Sequence, residues 1–311
     1  MSAARLIEDG GAAAADPAQF FRSPEFLEAE RVTHTLEIED GPRLPVIVRG
    51  IEGSDRTDAI SPYGYPGGAG APEQPPDPAA IEWSATGLVS LFVRDRIGDP
   101  ASLAGGTVRS PVQIADPGAE SGLRKRLREQ IRRNERRGWT VDALPGREAD
   151  PGARAAFERA YGETMRRTGA AERYLYPSEY FERVLAAEPA WLLLARRADG
   201  EPEAGAMAVR SDTHLHYYLG GTADAALEDS PMKNLFAEMI SLAGDLGLPL
   251  NLGGGVEPGD SLDSFKRGFA NAEAPFRTHE VICDPAAYEE LSAGKSAPGG
   301  FFPAYRARRR A

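Results

Sequence analysis

The order of helix and strand signals along the chain predicts an α+β fold made of two domains. A chain of 311 residues is longer than one hydrophobic core usually serves, which favours two domains. In the second half the signals follow the order strand, helix, helix, three strands, helix, strand, helix, strand. This mixture of strand runs and helices is typical of sheets that are covered by helices.

Composition and charge exclude several classes of protein. The chain is 41% hydrophobic and 27% charged, as ordinary globular proteins are. Its formal net charge of -11 opposes general binding to nucleic acids or acidic membranes. No apolar run approaches the roughly 20 residues of a membrane helix, so we expect no membrane insertion and a cytoplasmic location. The single cysteine, Cys283, excludes an internal disulfide and a cysteine-based metal site, and we expect no bound metal.

The signals of the first domain are short. Residues 1–16 are rich in small side chains and predict a flexible N-terminal arm. A proline-capped helix follows near residue 20. Alternating or apolar runs predict strands at residues 32–38, 44–48, 88–93 and 107–114. We therefore place the first domain at residues 17–138.

Two tyrosines lie in a loop that is too rich in glycine and proline for a helix or a strand. They are Tyr63 and Tyr65, within residues 61–68. Two tyrosines on a restrained backbone offer aromatic faces with hydroxyl ends, which suits the wall of a pocket. The alternative is a surface loop whose tyrosines only pack.

The strongest helical signal of the first half is basic. In residues 118–137, Leu123, Leu127 and Ile131 recur every four positions, and arginine and lysine cover most of the remaining surface. Such a helix in an acidic protein concentrates positive potential on one side, which favours an anionic partner. The alternative is a solvated surface helix whose charges pair with its own glutamates.

The second half has clearer signals. Residues 139–284 predict strands at 139–144, 190–196, 203–210, 214–219, 249–252 and 276–283. They predict helices at 151–167, 177–187 and 230–246, where Ser230 and Pro231 open the last helix. We place the second domain at residues 139–284. Residues 285–311 form a C-terminal segment, for which a return to the first domain is one option.

A short helix after the fifth of these strands carries the candidate catalytic residues. Its sequence is Ser261-Leu-Asp-Ser-Phe-Lys-Arg-Gly-Phe269, with the first serine as N-cap. Phe265 and Phe269 are four residues apart, so they pack inward and bring Lys266 and Arg267 to the rim of a cleft. A lysine beside packed aromatic rings can hold positive charge where an oxygen develops negative charge. The alternative is a solvated Lys-Arg pair on a surface turn.

In the order of its elements and in four short motifs, the chain resembles the FemABX family. The motifs are the basic helix ending in Arg-Arg-Gly-Trp139, the loop Ser-Pro-Tyr-Gly-Tyr65, the strand end Tyr-Leu-Gly-Gly221, and Asp263-Ser-Phe-Lys-Arg-Gly-Phe269. The resemblance covers roughly residues 20–290. It implies two tandem GNAT-like (acyl-CoA N-acyltransferase-like) domains, the first of them degenerate. It also implies transfer of an amino acid from aminoacyl-tRNA to an amine, without a further cofactor.

The resemblance assigns roles to residues of this chain. It maps stabilisation of the tetrahedral intermediate onto Phe265 and Lys266. The substrate-binding residues it implies are Tyr63, Tyr65, Arg173, Tyr176, Tyr180, Tyr218 and Arg267. The tRNA-binding residues are Arg128, Arg132, Arg133 and Arg136, with Arg306–Arg310 as a further basic stretch. Asp260 and Glu257 are weaker candidates for collecting the acceptor amine.

The chain departs from the peptidoglycan members of the family before its Tyr-Phe pair. Those members usually carry several arginines there, which grip a diphosphate. Here Tyr180-Phe181 has only Arg173 nearby. We therefore expect the amine of a small molecule or peptide as acceptor, in specialised metabolism rather than on a muramyl peptide.

Two other functions stay open on the same fold. One is an N-acyltransferase that uses acyl-CoA, and the other is a non-catalytic GNAT-like binding protein. GNAT enzymes hold the pyrophosphate of coenzyme A on amides of a glycine-rich turn. Here acidic residues crowd the corresponding turn and Pro231 removes one amide, so the sequence disfavours acetyl-CoA.

Overall fold

A computed structural model describes residues 2–198, 200–255, 259–295, 297 and 300–307 of the chain. The chain divides into two compact units. Unit 1 contains residues 1–16, 30–109 and 275–311, and unit 2 contains residues 17–29 and 110–274. The predicted boundaries at 138 and 284 therefore do not coincide with the divisions at 109 and 274. The C-terminal segment 285–311 lies in unit 1.

Unit 1 is built on one sheet, with the strand order β5-β1-β2-β3-β4-β6-β15-β7. These strands are β1 Ser2–Ile7, β2 His34–Ile38, β3 Arg43–Gly50, β4 Thr57–Ile60, β5 Ile81–Glu82, β6 Leu88–Arg94, β7 Thr107–Val108 and β15 Arg277–Ile282. Unit 1 also contains the helix α7, Pro285–Ser292. The core of the sheet is formed by buried side chains that include Leu36, Leu44, Leu91 and Val93.

The N-terminal residues differ from the flexible arm that the sequence predicts. Residues 2–7 form β1, which pairs antiparallel with β2. Small side chains such as Ala4, which is fully buried, fit against the sheet core. The hydrogen bonds of the strand ladder supply the order that the composition of this segment does not predict.

Unit 2 is built on a second sheet, with the order β14-β8-β13-β12-β11-β10-β9. The strands are β8 Val112–Ala115, β9 Trp139–Pro145, β10 Ala190–Arg197, β11 Ala204–Arg210, β12 Leu215–Thr222, β13 Leu250–Gly253 and β14 Ala272–Ala274. The helices are α1 Pro24–Ala29, α2 Lys125–Arg136, α3 Pro151–Thr168, α4 Ser178–Leu185, α5 Met232–Asp245 and α6 Ser261–Arg267.

Helices cover both faces of the sheet in unit 2. On β12, Tyr217 packs against Phe236 of α5, and the neighbouring Tyr218 meets Tyr180 of α4. Adjacent residues of a strand point to opposite faces, so α5 and α4 lie on opposite sides of the sheet. The helix α2 contacts α5, and α3 contacts α4. The sheet is therefore the middle layer of a three-layer unit.

Two strand predictions place residues in the wrong sheet or join two strands into one. The predicted strand 276–283 is β15, which pairs with β6 in unit 1 rather than with a strand of the second domain. The predicted strand 107–114 is two strands, β7 in unit 1 and β8 in unit 2. Local patterning predicts that a segment is extended, but its hydrogen-bonding partner depends on contacts distant in sequence.

Candidate functional site

The two parallel strands β12 and β13 separate soon after they meet. They pair only at Leu215 with Leu250 and at His216 with Asn251, although β12 continues to Thr222. Beyond the last pair, the backbone groups of the two strands are no longer hydrogen-bonded to each other. This split opens a place in the sheet where a ligand can meet backbone groups and side chains of both strands.

The helix α6 follows β13 and begins with an acidic cap. Asp260 is the N-cap, and its side chain accepts a hydrogen bond of 2.7 Å from the backbone amide of Asp263. The predicted N-cap, Ser261, is instead the first residue of the helix. Gly268 ends the helix, and a Cβ at this position would lie 2.6 Å from Leu127 of α2. A larger residue here would therefore require the Leu127 side chain to shift.

Lys266 is buried in the last turn of α6, with 6% of its surface exposed. Its Nζ donates a hydrogen bond of 2.7 Å to the carbonyl oxygen of Gly254, directly after β13. Burial lowers the pKa of Lys266 from 10.5 to about 8, and the nearby Asp260 and Asp263 oppose this shift. At neutral pH the side chain is thus a buried ammonium at the side of the split.

Aromatic rings surround the Lys266 side chain. Its Nζ lies 5.5 Å from the centre of the Tyr217 ring. Phe265 packs against Phe236 and Phe269, with ring centres 5.3 and 5.4 Å apart. The inward packing predicted for Phe265 and Phe269 is therefore present. The burial of Lys266 keeps water away from the ammonium, which strengthens its interaction with any developing negative charge.

The chemistry available to this lysine is electrostatic. An ammonium has three N–H groups, and the Gly254 carbonyl engages one of them. The other two can donate to a carbonyl oxygen of a bound substrate. Because the group is already fixed and desolvated, little reorganisation is needed when that oxygen gains charge.

The lowered pKa of Lys266 predicts how stability depends on pH. Between pH 8 and 10.5 the unfolded chain binds a proton at this lysine that the folded chain does not. The free energy of unfolding should therefore rise with pH across this window, by about 3 kcal/mol for a shift of this size. Lys266→Met should remove the rise.

Chemical denaturation at pH 7 and pH 10 measures this difference. Ionisation of Tyr217 and Cys283 in the unfolded chain opposes the rise, but both residues are present in either protein and cancel in the comparison. Parallel curves for the wild type and the variant would contradict the buried position of Lys266.

Arg267 lies beside Lys266 but is held by acidic neighbours. It forms ion pairs with Asp263 at 3.0 Å and with Glu273 at 2.8 Å. Gln113 of β8 donates hydrogen bonds to the same two carboxylates. The two carboxylates, of Asp263 and Glu273, hold the Arg267 side chain within the protein. Its predicted role in substrate binding stays a prediction.

Three predicted substrate-binding tyrosines form a cluster on the α4 face of the sheet. Tyr176 stacks on Tyr180 with ring centres 4.0 Å apart, and the hydroxyls of Tyr180 and Tyr218 are hydrogen-bonded. Lys266 instead contacts Tyr217, on the α5 face. The two groups of residues therefore approach β12 from opposite faces of the sheet. Arg173 lies over the ring of Tyr174 at 4.8 Å.

The predicted loop tyrosines lie in unit 1. The amide of Tyr63 donates to the carboxylate of Glu30 at 3.0 Å, and its side chain is 37% exposed. Tyr65 packs edge-on against Phe276, with ring centres 5.1 Å apart. A role of either residue in substrate binding stays a prediction.

The predicted tRNA-binding arginines are exposed on α2. Arg128, Arg132, Arg133 and Arg136 lie outside the buried stripe of Ile131 and Asn134. Arg128 donates to the carbonyl oxygen of Leu123 at 2.9 Å. The helix carries six basic and two acidic residues, so it is strongly positive.

Lys233 of α5 adds to the positive charge of α2. The side chain of Asn134 donates to that of Asn234 at 2.8 Å, which fixes α2 against the first turn of α5. Burial, with the nearby Arg133 and Arg126, lowers the pKa of Lys233. Sequence reasoning missed Lys233, because only the packing of the two helices brings it to the basic surface.

The remaining predicted residues lie in the C-terminal basic stretch and between β13 and α6. Arg306 pairs with the buried Asp58 of unit 1 at 2.5 Å, so this arginine of the C-terminal basic stretch has an acidic partner within the protein. Arg308–Arg310 and Glu257 lie outside the described residues. Within the described ranges, the structure brings together no group of histidine, cysteine and carboxylate side chains that could hold a metal ion.

Most backbone amides in the turn between β12 and α5 donate to oxygens of the protein. The backbone N–H groups donate to protein oxygens at Asp224, Ala226, Leu227, Ser230, Lys233 and Asn234. Asp224 is paired with Arg167, and Asp229 with Arg137 and Arg197. Neutralisation of these two carboxylates weakens the charge argument against coenzyme A. The occupied amides provide a stronger argument, because they are not available to a pyrophosphate.

Two groups that the sequence analysis did not name contact Lys266. Tyr217 and the Gly254 carbonyl both contact the Lys266 ammonium. Strand alternation could have placed Tyr217 on the same face as the buried Leu215. No local signal predicts the Gly254 contact, because it depends on where α6 returns to the sheet.

The fold is GNAT-like, with Lys266 beside the split between β12 and β13. Residues 121–267 match the family model described as an acetyltransferase (GNAT) domain. A search of curated proteins finds no significant match in sequence. Among the helices of the described residues, none has the length and apolar character needed to span a membrane.

Solved structures resemble the chain over most of its length. FemX matches with a TM-score of 0.63 and 12% identity, over 92% of this chain and 99% of FemX. The C-terminal domain of a protein assigned as a lysylphosphatidylglycerol synthetase from Agrobacterium fabrum matches with a TM-score of 0.55 and 14% identity, over 90% of this chain and 89% of that domain. A conserved protein from Bacteroides thetaiotaomicron matches with a TM-score of 0.52 and 10% identity, over 86% of this chain and 91% of that protein.

These likenesses confirm the predicted tandem GNAT-like fold and the resemblance to FemX. At such low identity they show the fold alone. Activity has to be argued from the residues of the site.

Proposed function

We propose that the chain is an aminoacyltransferase that moves an amino acid from aminoacyl-tRNA to the amine of a small molecule or peptide. The observation that carries this proposal is the buried Lys266 ammonium at the split between β12 and β13. The likeness to FemX in fold supports the same class of reaction. We further propose that the protein acts in the cytoplasm, where charged tRNA is present.

The reaction needs alignment and charge stabilisation more than a strong base. The amine nitrogen of the acceptor forms a bond to the ester carbonyl carbon, and the carbonyl oxygen gains negative charge. Lys266 donates hydrogen bonds to that oxygen, while Phe265 and Tyr217 shape the surrounding pocket. The bond to the ribose oxygen of tRNA then breaks, and the proton lost by the amine leaves with the ribose hydroxyl.

The proposed donor is tRNA rather than coenzyme A. Most backbone amides in the turn between β12 and α5 are bonded to protein oxygens, so these amides are not available to a pyrophosphate. The neighbouring α2 is strongly positive in a protein of net charge -11. A localised basic surface of this kind favours a polyanion such as RNA.

The proposed acceptor lacks a diphosphate. Arg173, the arginine near Tyr180, lies over the ring of Tyr174, and the surrounding side chains are aromatic. Stacked tyrosines suit an apolar or aromatic acceptor with a few hydrogen-bonding groups. Because Lys266 lies on the other face of the sheet, the acceptor amine reaches the carbonyl carbon through the split between β12 and β13. We therefore propose an acceptor of specialised metabolism rather than a muramyl peptide.

Transfer of labelled amino acids tests this proposal. The protein is incubated with a pool of radiolabelled aminoacyl-tRNAs and candidate amines, with labelled acetyl-CoA in a parallel reaction. We expect transfer from aminoacyl-tRNA that ribonuclease pretreatment abolishes, and the captured label identifies the amino acid. Transfer from acetyl-CoA alone would overturn the proposal in favour of an ordinary N-acyltransferase.

Thermal unfolding with added coenzyme A gives an independent prediction. Ligand binding to the folded state raises the melting temperature, by an amount that grows with the logarithm of the ligand concentration divided by Kd. We expect no increase with millimolar coenzyme A or acetyl-CoA, and an increase with uncharged tRNA. A clear increase with coenzyme A would show that the turn after β12 can still bind its phosphates.

A further inference from the structure

A chain of buried polar side chains closes the apex of the split between β12 and β13. His216 and Asn251 form the last pair before the strands separate, and they are 1% and 0% exposed. Asn251 Nδ2 lies 3.0 Å from His216 Nδ1, and His216 Nε2 lies 2.9 Å from Ser211 Oγ. The transfer reaction proposed above uses none of these three side chains directly.

The proton positions in this chain follow from one backbone amide. The N–H of Gly253 donates to Asn251 Oδ1 at 2.8 Å, which identifies the oxygen of the Asn251 amide. Asn251 Nδ2 is then the donor to His216, so His216 Nδ1 must accept. His216 is therefore neutral, and its Nε2–H donates to Ser211 Oγ. Burial, with a contribution from His214, lowers the pKa of His216 well below its ordinary value, in agreement with this assignment.

Asn251 is connected to Lys266 through two glycines. Gly253 has a φ of 75°, in the left-handed region that glycine adopts readily. A glycine has no side chain to restrain its backbone, so the hydrogen bond to Asn251 Oδ1 fixes the direction of this peptide. The carbonyl of Gly254, two peptide units after the one that Asn251 holds, accepts the hydrogen bond from Lys266 Nζ.

We propose that His216 and Asn251 are positioning residues that hold the Gly254 carbonyl where it binds the Lys266 ammonium. His216 orients the amide of Asn251, and Asn251 orients the two glycines. The catalytic consequence rests on the proposed function, whereas the effect on the ammonium itself does not. Among the described residues, Asp260, Asp263 and the ring of Tyr217 also face Lys266.

Titration of Lys266 by NMR tests the proposal without any substrate. The chain contains four lysines, so lysine labelled with ¹³C gives four side-chain signals, and Lys266→Met assigns one of them. In the wild type we expect this signal to titrate near pH 8. In Asn251→Leu the ammonium loses its fixed acceptor, so its midpoint should fall by roughly half a pH unit or more. The exposed Lys125 should titrate identically in both proteins.

Asn251→Asp is the matched control. Aspartate keeps an oxygen for the Gly253 amide, and a proton on His216 Nδ1 can face its second oxygen. The midpoint of Lys266 should therefore stay or rise. A folded Asn251→Leu protein with an unchanged Lys266 midpoint overturns the proposal. If this variant does not fold, Asn251→Ala is titrated instead, and an unchanged Lys266 midpoint there overturns the proposal in the same way.

Kinetics separate this proposal from the proposed function. If the chain is an aminoacyltransferase, Asn251→Leu should lower kcat about tenfold and shift the alkaline limb of the pH profile downward, with little change in KM for tRNA. Loss of folding alone would lower activity at all pH values equally. If no transfer is found but the NMR midpoint moves, only the proposed function fails.

Discussion

Lys266→Met lowers kcat for aminoacyl transfer by roughly a hundredfold or more, which is the usual loss when one oxyanion donor is removed. Methionine has a similar length and fills the aromatic pocket beside Tyr217 and Phe265, so the change removes the charge and preserves most of the packing. The KM for tRNA should change little, because Lys266 acts on the carbonyl oxygen. Steady-state transfer assays at pH 7.5 measure both constants.

Two further variants show whether charge or fit is responsible. Lys266→Arg keeps a positive charge, but its larger planar group does not match the 2.7 Å contact with the Gly254 carbonyl, so activity should be only partly restored. Arg196→Met removes an exposed cation paired with Asp142 and should leave kcat unchanged. An unchanged rate in Lys266→Met would refute the oxyanion role, whereas the absence of any transfer by the wild type would favour a non-catalytic binding protein.

Local periodicity predicted most elements of unit 2, because each of them buries one clear face. The predicted helix 151–167 is α3, Pro151–Thr168, and the predicted strand 190–196 is β10, Ala190–Arg197. The basic helix is shorter than predicted and begins at Lys125, because the backbone amide of Arg124 donates to the carbonyl oxygen of Gly268 instead of to a helical partner. Errors concentrate where strand pairing decides the outcome, as in β1 and β15.

The candidate site could be predicted only where one segment contains it. Phe265 and Lys266 lie in a single turn, and helical spacing was enough to infer that Phe265 packs inward. The partners of Lys266 come from other segments, Tyr217 from β12 and Gly254 from the end of β13. The contact between His216 and Asn251, which are 35 residues apart, depends on the register of the two parallel strands β12 and β13. Such a contact has no signature in a single sequence.

Removal of the positive charge on α2 should weaken tRNA binding without affecting the chemical step. In the combined variant Arg132→Gln, Arg133→Gln and Arg136→Gln, we expect KM for aminoacyl-tRNA to rise roughly tenfold to a hundredfold at physiological salt. These side chains are exposed, and glutamine preserves helix propensity, so the fold should be retained. The kcat at saturating tRNA should stay near the wild-type value.

The salt dependence of binding distinguishes phosphate contacts from a general effect of net charge. Each lost phosphate contact should reduce the slope of log K against log salt by about 0.7 to 0.9. A control variant, Arg154→Gln, Arg159→Gln and Arg166→Gln, removes the same charge from α3, which covers the opposite face of the sheet from α2. If both variants weaken binding equally, tRNA responds to net charge and α2 is only a solvated helix. A selective loss in the α2 variant, with Lys233→Gln adding to it, would locate the RNA along the edge formed by α2 and the first turn of α5.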